Sequence, residues 1–228
     1  TIRLVTGPAW SSATDRGTGP GTTELELFEG LLVNKQTITG RFGSGSGDTV
    51  SVAARRATYL GTACTVAAGQ VDDSSSKRFL WNAYNRVSRQ MRALDSTDSW
   101  TYSTGSWRQA RASSANQLDF VIGWHTDAVE ATVQGVAQNS TSTLRQVAVG
   151  IGVDSVAAPV AGSQMIALDG AGAGNAYGLP RAHYVGYAGI GRHYLAWLEI
   201  GAGSDTQTWY GDNGSSVVQT GIVGMMRG

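Results

Sequence analysis

The chain of 228 residues has little cysteine, lysine, proline or charge. Its one cysteine, Cys64, cannot form an intrachain disulfide, and the small apolar residues around it favour a buried thiol over a nucleophile. Lys35 and Lys77 are the only lysines, 17 basic residues balance 17 acidic ones, and charged residues make up 15% of the chain. Because the net charge is zero, we expect no nucleic-acid partner.

Long apolar runs and helix-forming segments are also missing. The chain has no stretch long enough to span a bilayer and no basic start followed by an apolar run, so we expect neither membrane insertion nor a signal peptide. Gly, Ser, Thr and Val stand where a helical protein would have Ala, Leu, Glu and Lys. The 31 glycines show no three-residue period, and 41% hydrophobic content with seven Trp and eight Tyr is enough for a packed core.

From residue 49 onward, short β-branched and aromatic runs alternate with turn residues. In one run Val129, Ala131 and Val133 share a face, which is the two-residue period of a strand buried on one side. About ten to twelve such strands predict an all-β protein with an antiparallel β-sandwich or jelly-roll-like body. The segment from Arg86 to Arg92 fits a helical turn or a strand equally well. The predicted strands cover 49–53, 58–66, 78–84, 100–104, 118–124, 128–136, 145–153, 163–168, 182–187, 194–200, 206–210 and 217–226.

Residues 1–48 differ from the rest of the chain. Gly and Pro interrupt the first part, an alternating segment follows at 24–29, and a Gly-Ser run at 43–47 has the composition of a flexible linker. We therefore predict an N-terminal extended arm or docking element over 1–48 and a sandwich body over 49–228. The alternative is that residues 1–48 are the first sheet of a single domain. The candidate anchoring residues of the arm are Leu25, Leu27, Phe28, Leu31 and Leu32.

The usual catalytic and metal-binding motifs are missing. His125, His183 and His193 lack the spacing of a zinc site, and no phosphate-binding loop is present, so we expect no metal and no cofactor. A glycan-cleaving enzyme needs only two carboxylates. The candidates are Asp72, Asp73, Asp95, Asp98, Asp119, Asp127 and Glu130. Asp95 and Asp98 could cap a turn or hold a calcium ion, and the turn cap is favoured because Asp and Ser accept backbone hydrogen bonds in turns. Asp119 is predicted to face solvent from its strand. Nothing in the sequence pairs any two of them.

Arginine is the unusual charge, with 15 of the 17 basic residues. Several arginines lie in the same stretch as Trp and Tyr, a composition found at protein interfaces and at surfaces that stack on sugars. The alternative places the aromatic side chains in the core and the arginines at its rim. The candidate interface or glycan-stacking residues are Trp81, Tyr84, Arg86, Arg89, Trp100, Tyr102, Trp107 and Arg108.

Four segments in this stretch carry a resemblance: Trp81-Asn-Ala-Tyr-Asn-Arg86, Asp98-Ser-Trp-Thr-Tyr-Ser103, Trp107-Arg-Gln109 and Asn116-Gln-Leu-Asp-Phe120. They resemble a group of small β-rich virion structural proteins of tailed bacteriophages and prophages. The resemblance runs through residues 49–155, and the ending at 225–228 is also similar. It implies a non-enzymatic tail-fibre-like, head-fibre or decoration protein that is made in the bacterial cytoplasm and assembles as a homotrimer. It carries over no catalytic residue.

The resulting expectation is a virion surface component of the tail-fibre or appendage type. The arm would anchor it to other virion proteins, and its exposed aromatic side chains would contact host surface glycan. Two alternatives remain open. One is a capsid decoration (cement) or head-fibre protein, and the other is a jelly-roll carbohydrate-active enzyme or lectin.

Overall fold

The computed structural model describes residues 2–19, 21–143, 145–166, 168–169, 177–214 and 217–228. These residues form 23 β-strands, numbered β1 to β23 in chain order, and one short 3-10 helix, Ala110–Ala112. The predicted all-β class is confirmed, and the ambiguous segment after Arg86 forms a strand, Ser88–Leu94. Among the described residues, no helix is long and apolar enough to cross a membrane.

Two large sheets form the body. In spatial order, the five-stranded sheet contains β10 (Ser88–Leu94), β23 (Gly221–Arg227), β14 (Ala128–Gln134), β20 (Arg181–Tyr187) and β17 (Gln164–Ile166). The six-stranded sheet contains β18 (Leu168–Asp169), β16 (Gln146–Val153), β21 (Gly191–Ile200), β13 (Gln117–Ile122) and β8 (Lys77–Arg78), with β12 (Arg108–Gln109) also paired to β21. All these pairs are antiparallel except β13 with β8.

The core lies between these two sheets. Val129, Ala131 and Val133 of β14 are buried, as their alternation predicts. They belong to one cluster with Leu118 and Phe120 of β13, which lie on the opposite sheet. A Cβ added at Gly224 of β23 would lie 2.9 Å from Leu118 Cδ1. Glycine at that position therefore lets the two sheets approach closely. Two sheets packed over a shared core form a β-sandwich, so the predicted architecture is confirmed.

Smaller sheets extend the sandwich. The four-stranded sheet contains β11 (Ser99–Thr101), β22 (Gln207–Tyr210), β15 (Ala137–Asn139) and β19 (Tyr177–Gly178). The two-stranded pairs are β1 (Leu25–Phe28) with β2 (Leu31–Asn34), β3 (Ile38–Arg41) with β4 (Thr49–Val52), β5 (Gly61–Ala63) with β9 (Leu80–Asn82), and β6 (Thr65–Ala67) with β7 (Gln70–Val71). Cys64, between β5 and β6, is half-buried.

Hydrogen bonds cross the predicted boundary at residue 48. Asn34 is buried, and its Nδ2 donates to the carbonyl oxygen of Ala53 at 2.9 Å. Its Oδ1 accepts hydrogen bonds from the backbone N–H groups of Arg56 and Ala57, at 3.1 and 2.8 Å. Further along, the N–H of Arg192 in β21 donates to the carbonyl oxygen of Ala13 at 2.9 Å. The first 48 residues therefore contact the body at several points, and their role as a separate arm stays a prediction.

Candidate functional site

Glu199 on β21 organises the first cluster of predicted site residues. Its side chain is fully buried. Its Oε1 accepts hydrogen bonds from Arg108 Nε at 2.8 Å and from the backbone N–H of Arg111 at 3.0 Å, while Oε2 accepts one from Trp100 Nε1 at 2.8 Å. The Arg108 guanidinium also lies 3.7 Å from the centre of the Tyr102 ring. Three predicted interface residues, Trp100, Tyr102 and Arg108, thus surround a carboxylate of their own chain.

A buried carboxylate needs this set of partners because desolvation penalises its charged form. Burial raises the pKa of the Glu199 carboxyl, and the hydrogen bonds from Trp100 and from the Arg111 backbone, with the Arg108 charge, act in the opposite direction. The Trp100 ring in turn packs edge-on against Trp197, with ring centroids 5.9 Å apart. The cluster therefore joins the four-stranded sheet to the six-stranded sheet.

Arg111 extends the cluster to a second carboxylate. Its Nε donates to Asp95 Oδ2 at 2.9 Å, and Asn116 Nδ2 donates to the same oxygen at 2.7 Å. The backbone N–H of Thr97 donates to Asp95 Oδ1 at 2.9 Å, which is the predicted turn-capping role. Burial opposes ionisation of Asp95, but the hydrogen bonds from Asn116, Thr97 and Arg111 outweigh it, so its pKa is lowered.

Asp127 organises the second cluster. Trp81 is buried, and its Nε1 donates to Asp127 Oδ2 at 2.8 Å. Arg86 forms an ion pair with the other carboxylate oxygen, Oδ1, and its guanidinium lies 5.8 Å from the centre of the Trp81 ring. Asp127 is itself buried. Trp81 and Arg86 therefore face an internal partner rather than solvent.

Tyr59 and two residues of the N-terminal region complete this second cluster. The Tyr59 ring stacks on Trp81 with centroids 6.0 Å apart. The buried Arg16 guanidinium donates to the carbonyl oxygen of Gly123 and to Tyr59 Oη, and it lies 4.7 Å from the centre of the Trp10 ring. A Cβ at Gly123 would overlap the Trp81 ring and the Tyr59 hydroxyl. Glycine at position 123 therefore lets the Trp81 and Tyr59 side chains pack directly against the backbone.

The other candidate interface residues are placed differently. Arg89 Nε donates to the carbonyl oxygen of Gly228 at 2.9 Å, and its Nη1 contacts Asp73 at 3.0 Å. Trp107 is half-buried beside Gly150 of β16, where an added Cβ would lie 3.1 Å from its ring. Tyr84 alone has a largely exposed side chain, at 56%. Of the eight predicted residues, Tyr84 therefore has the ring most accessible to a partner.

The carboxylates weighed for catalysis are mostly paired with arginine. Asp95, Asp119 and Asp127 are buried, and their partners are Arg111, Arg192 and Arg86. The prediction of a solvent-facing Asp119 is wrong. Its strand lies in the six-stranded sheet, where Arg192 covers it at 3.2 Å and Gln117 Nε2 donates to it at 2.9 Å. Asp98 is exposed. Within the described residues, no three potential metal ligands group together.

The candidate anchoring residues lie on the β1–β2 hairpin. Leu27 pairs with Leu32 and Phe28 pairs with Leu31. Leu27 is 70% exposed, and Leu31 is also exposed. The Phe28 ring is covered by the Arg55 guanidinium at 4.7 Å, and Leu25 and Leu32 are half-buried. Leu27 and Leu31 are therefore the members of the set that solvent or a partner can reach.

A further surface, which the sequence analysis did not identify, lies on the outer face of the five-stranded sheet. Val185 and Tyr187 of β20 are 59% and 69% exposed, and Val223 and Met225 of β23 are also exposed. A shallow groove of about 510 Å³ follows this face and is lined by Arg92, Glu130, Val223 and Met225, among other residues. Neither Arg92 nor Glu130 forms an ion pair with any residue that the structure describes. We call these six residues the outer patch.

The strand pattern contained a signal for the outer patch. The predicted strands at 182–187 and 217–226 have apolar residues on both faces, which is unusual for a sheet with one solvated side. The strand β14 differs from these two strands: its outward side chains, Glu130, Thr132 and Gln134, are polar, as expected for a sheet with one face in water.

Comparisons with known proteins add no family assignment. A scan against models of known protein families finds no match to this chain, and a search of curated proteins finds no similar sequence.

Proposed function

We propose that this chain is a non-enzymatic structural protein of a bacteriophage virion. It assembles as a homo-oligomer, expected to be a trimer, and forms a surface component of the particle. The resemblance of residues 49–155 to phage virion proteins supplies the class. The outer patch carries the assembly part of the proposal.

The outer patch has the character of an interface. Four apolar side chains, Val185, Tyr187, Val223 and Met225, are exposed on one face of a regular sheet. They form two exposed apolar pairs, on the strands that flank β14, whose outward side chains are polar. Exposed apolar groups with polar residues beside them mark a site of association. An aromatic residue and a methionine among them are typical of interface cores.

The outer patch carries one charge of each sign, on opposite sides of β23. Arg92 lies on β10 and Glu130 on β14, on either side of β23, which carries Val223 and Met225. Both charged side chains are exposed and lack a partner within the described chain. Around a three-fold axis, Glu130 of each copy would meet Arg92 of the next copy. The apolar side chains would exclude water from this ion pair and so strengthen it. We therefore assign the outer patch to a contact between copies.

The buried carboxylates support a non-enzymatic role. A glycan-cleaving site needs two carboxyl groups facing a groove that admits substrate. Asp95, Asp119 and Asp127 are instead buried, and each pairs with an arginine. The groove of the outer patch has Glu130 as its acidic lining residue. Attachment to the particle is assigned to exposed Leu27 and Leu31 and to the exposed N-terminal residues Ile2 and Leu4.

Charge reversal tests the assembly. The oligomeric mass of the purified chain is measured by light scattering for the wild type, Arg92→Glu, Glu130→Arg and the double variant. We expect a trimer for the wild type, a shift to monomer for each single variant and recovery of the trimer for the double variant. Arg56→Glu makes the same charge change at an exposed site outside the outer patch and should leave the trimer intact. A monomeric wild type, or single variants that assemble normally, would overturn the assignment.

Location on the particle tests the virion role. The wild-type chain should be seen at regular positions when labelled particles are imaged by electron microscopy. Leu27→Glu with Leu31→Glu should remove it from particles while leaving a folded oligomer, because both side chains are exposed. The point variants are preferable to deleting residues 1–48, since Arg16 and Asn34 of that segment bond to the rest of the chain. A chain missing from wild-type particles would contradict the proposal.

A further inference from the structure

The outer face of the four-stranded sheet presents a second group of exposed aromatic side chains. Trp209 of β22 and Ala137 of β15 are buried and pair with each other. Their strand neighbours Tyr210 and Gln138 therefore point to the opposite side, where Tyr177 of β19 pairs with Gln138. The Tyr177 and Tyr210 rings are 5.4 Å apart and inclined by 68°. Tyr177 is 57% exposed.

Uncharged hydrogen-bonding groups surround these rings. Tyr210 Oη donates to Gln138 Oε1 at 2.6 Å, which fixes the position of the Tyr210 ring. Thr208 pairs with both Gln138 and Thr101, so hydroxyl groups continue along the same face toward Ser99 of β11. None of the side chains that these described strands place on this face is charged. We call the set Ser99, Thr101, Gln138, Tyr177, Thr208 and Tyr210 the tyrosine face.

One end of the tyrosine face is acidic. Asp98 precedes Ser99, and Asp212 follows Tyr210 by two residues. Because Ser99 pairs with Tyr210, both carboxylates lie at the same end of the sheet. The backbone N–H of Gly214 donates to Asp212 Oδ1 at 3.0 Å. A Cβ added to Gly214 would lie 3.3 Å from Asp98 Oδ1, so this loop lies beside both carboxylates. A negatively charged ligand would be repelled at this end.

We propose that the tyrosine face is a binding site for a neutral glycan. The C–H groups on one face of a hexose ring pack against a tyrosine ring, and its hydroxyls bond to amide and hydroxyl side chains. A sheet face with two adjacent aromatic rings, Gln, Ser and Thr supplies both kinds of contact. The acidic end accepts hydrogen bonds from sugar hydroxyls and disfavours sialylated or sulfated chains.

This glycan site makes the proposed function more specific. Its biological role rests on the proposal that the chain is a virion surface protein. The aromatic residues that the sequence suggested for sugar stacking are mostly engaged inside the chain, as with Trp81 and Trp100. The tyrosine face lies on a different sheet from the outer patch. A trimer joined through the outer patch thus leaves the tyrosine face open on each copy, and three weak sugar contacts would add in avidity.

The experiment measures sugar binding and assembly separately. The wild-type oligomer is applied to an array of immobilised neutral oligosaccharides built from glucose, galactose or mannose, with polysialic acid as the anionic probe. The strongest neutral ligand is then titrated by calorimetry. We expect binding to at least one neutral oligosaccharide and none to polysialic acid.

Two variants and one control locate the site. Tyr177→Ala should weaken the titrated affinity by at least about tenfold, and Tyr210→Phe should weaken it less, because the ring remains and only the hydroxyl is lost. Tyr84→Ala removes the exposed tyrosine among the stacking candidates of the sequence, which has nearly the same exposure as Tyr177. It should change the affinity by less than about twofold, because the proposed sugar site is the tyrosine face instead. Folding of each variant is checked by circular dichroism.

The possible failures are distinguishable. An array on which no neutral oligosaccharide binds, or an unchanged affinity for Tyr177→Ala, overturns the glycan site. A change of oligomeric mass in Tyr177→Ala also overturns it and makes the tyrosine face a protein contact. None of these results bears on the virion proposal, which is decided by the mass of the wild-type chain and its location on particles.

Discussion

The interior of the sandwich and the outer patch differ in whether their charged side chains have partners in the same chain. Inside, the carboxylates of Asp95, Asp119, Asp127 and Glu199 each form an ion pair with an arginine of the same chain. Outside, Arg92 and Glu130 stand exposed beside apolar residues without a partner in the described chain. Interior charges complete the fold of one copy. The outer charges are placed for a contact that one copy cannot make alone.

The largest effect is expected from disturbing the apolar interior. Val133→Ser on β14 replaces a fully buried side chain with a smaller, polar one. Its free energy of unfolding should fall by about 4 kcal/mol, since a cavity forms and a hydroxyl is buried. Chemical denaturation of the variant and the wild type measures the difference. A loss below about 1 kcal/mol would show that β14 does not pack against the core.

Loss of the Glu199 carboxylate is expected to have the next largest effect. Glu199→Ala leaves the indole N–H of Trp100, the backbone N–H of Arg111 and the Arg108 guanidinium without their acceptor. Stability should fall by about 3 kcal/mol, as is usual when one member of a buried charge pair is removed. Glu130→Ala removes an exposed glutamate of β14 and is the matched control. Measured on the single copy, at concentrations where the chain is monomeric, it should change stability by less than about 0.5 kcal/mol. Equal effects of the two changes would contradict the distinction between interior and outer charges.

The difference between local patterns and contacts made by the fold explains which features could be predicted from the sequence. Alternation in segments such as 128–136 follows from burial of one sheet face and identified the sandwich. Five very short strands were not predicted, because two to four residues do not display a period. They are β3, β7, β12, β15 and β19. The Arg and Trp residues near position 100 were recognised as unusual. Their partner Glu199 is about 100 residues away in sequence, and local composition cannot show a contact made by the fold.

Acid should act on the interior through Asp95. Its pKa is lowered in the folded chain, so the carboxylate stabilises the fold above its ordinary pKa and loses that contribution as the pH falls through the lowered value. The stability of the wild type should therefore fall more steeply than that of Asp95→Asn below about pH 4. Unfolding by urea over a series of pH values gives both curves. Asp98→Asn removes an exposed carboxylate nearby and is the control, whose curve of stability against pH should be parallel to that of the wild type. A curve for Asp95→Asn that is also parallel to the wild type would contradict the prediction.

The smallest effect on the free energy of unfolding of a single copy is expected from a change in the outer patch. Such a change should instead weaken the association between copies. Val185→Ser is the same chemical change as Val133→Ser, made on the exposed side of the neighbouring strand β20. Because Val185 is already in contact with water, the free energy of unfolding of the single copy should change by less than about 0.5 kcal/mol. Sedimentation equilibrium should nevertheless show weaker self-association, since the association buries that side chain. If Val185→Ser destabilised the fold as much as Val133→Ser, the five-stranded sheet would have two internal faces. If it left both stability and association unchanged, the exposed valine would belong to no interface. Only a loss of association without a loss of stability fits a sheet that is packed on one side by its own chain and on the other by a second copy.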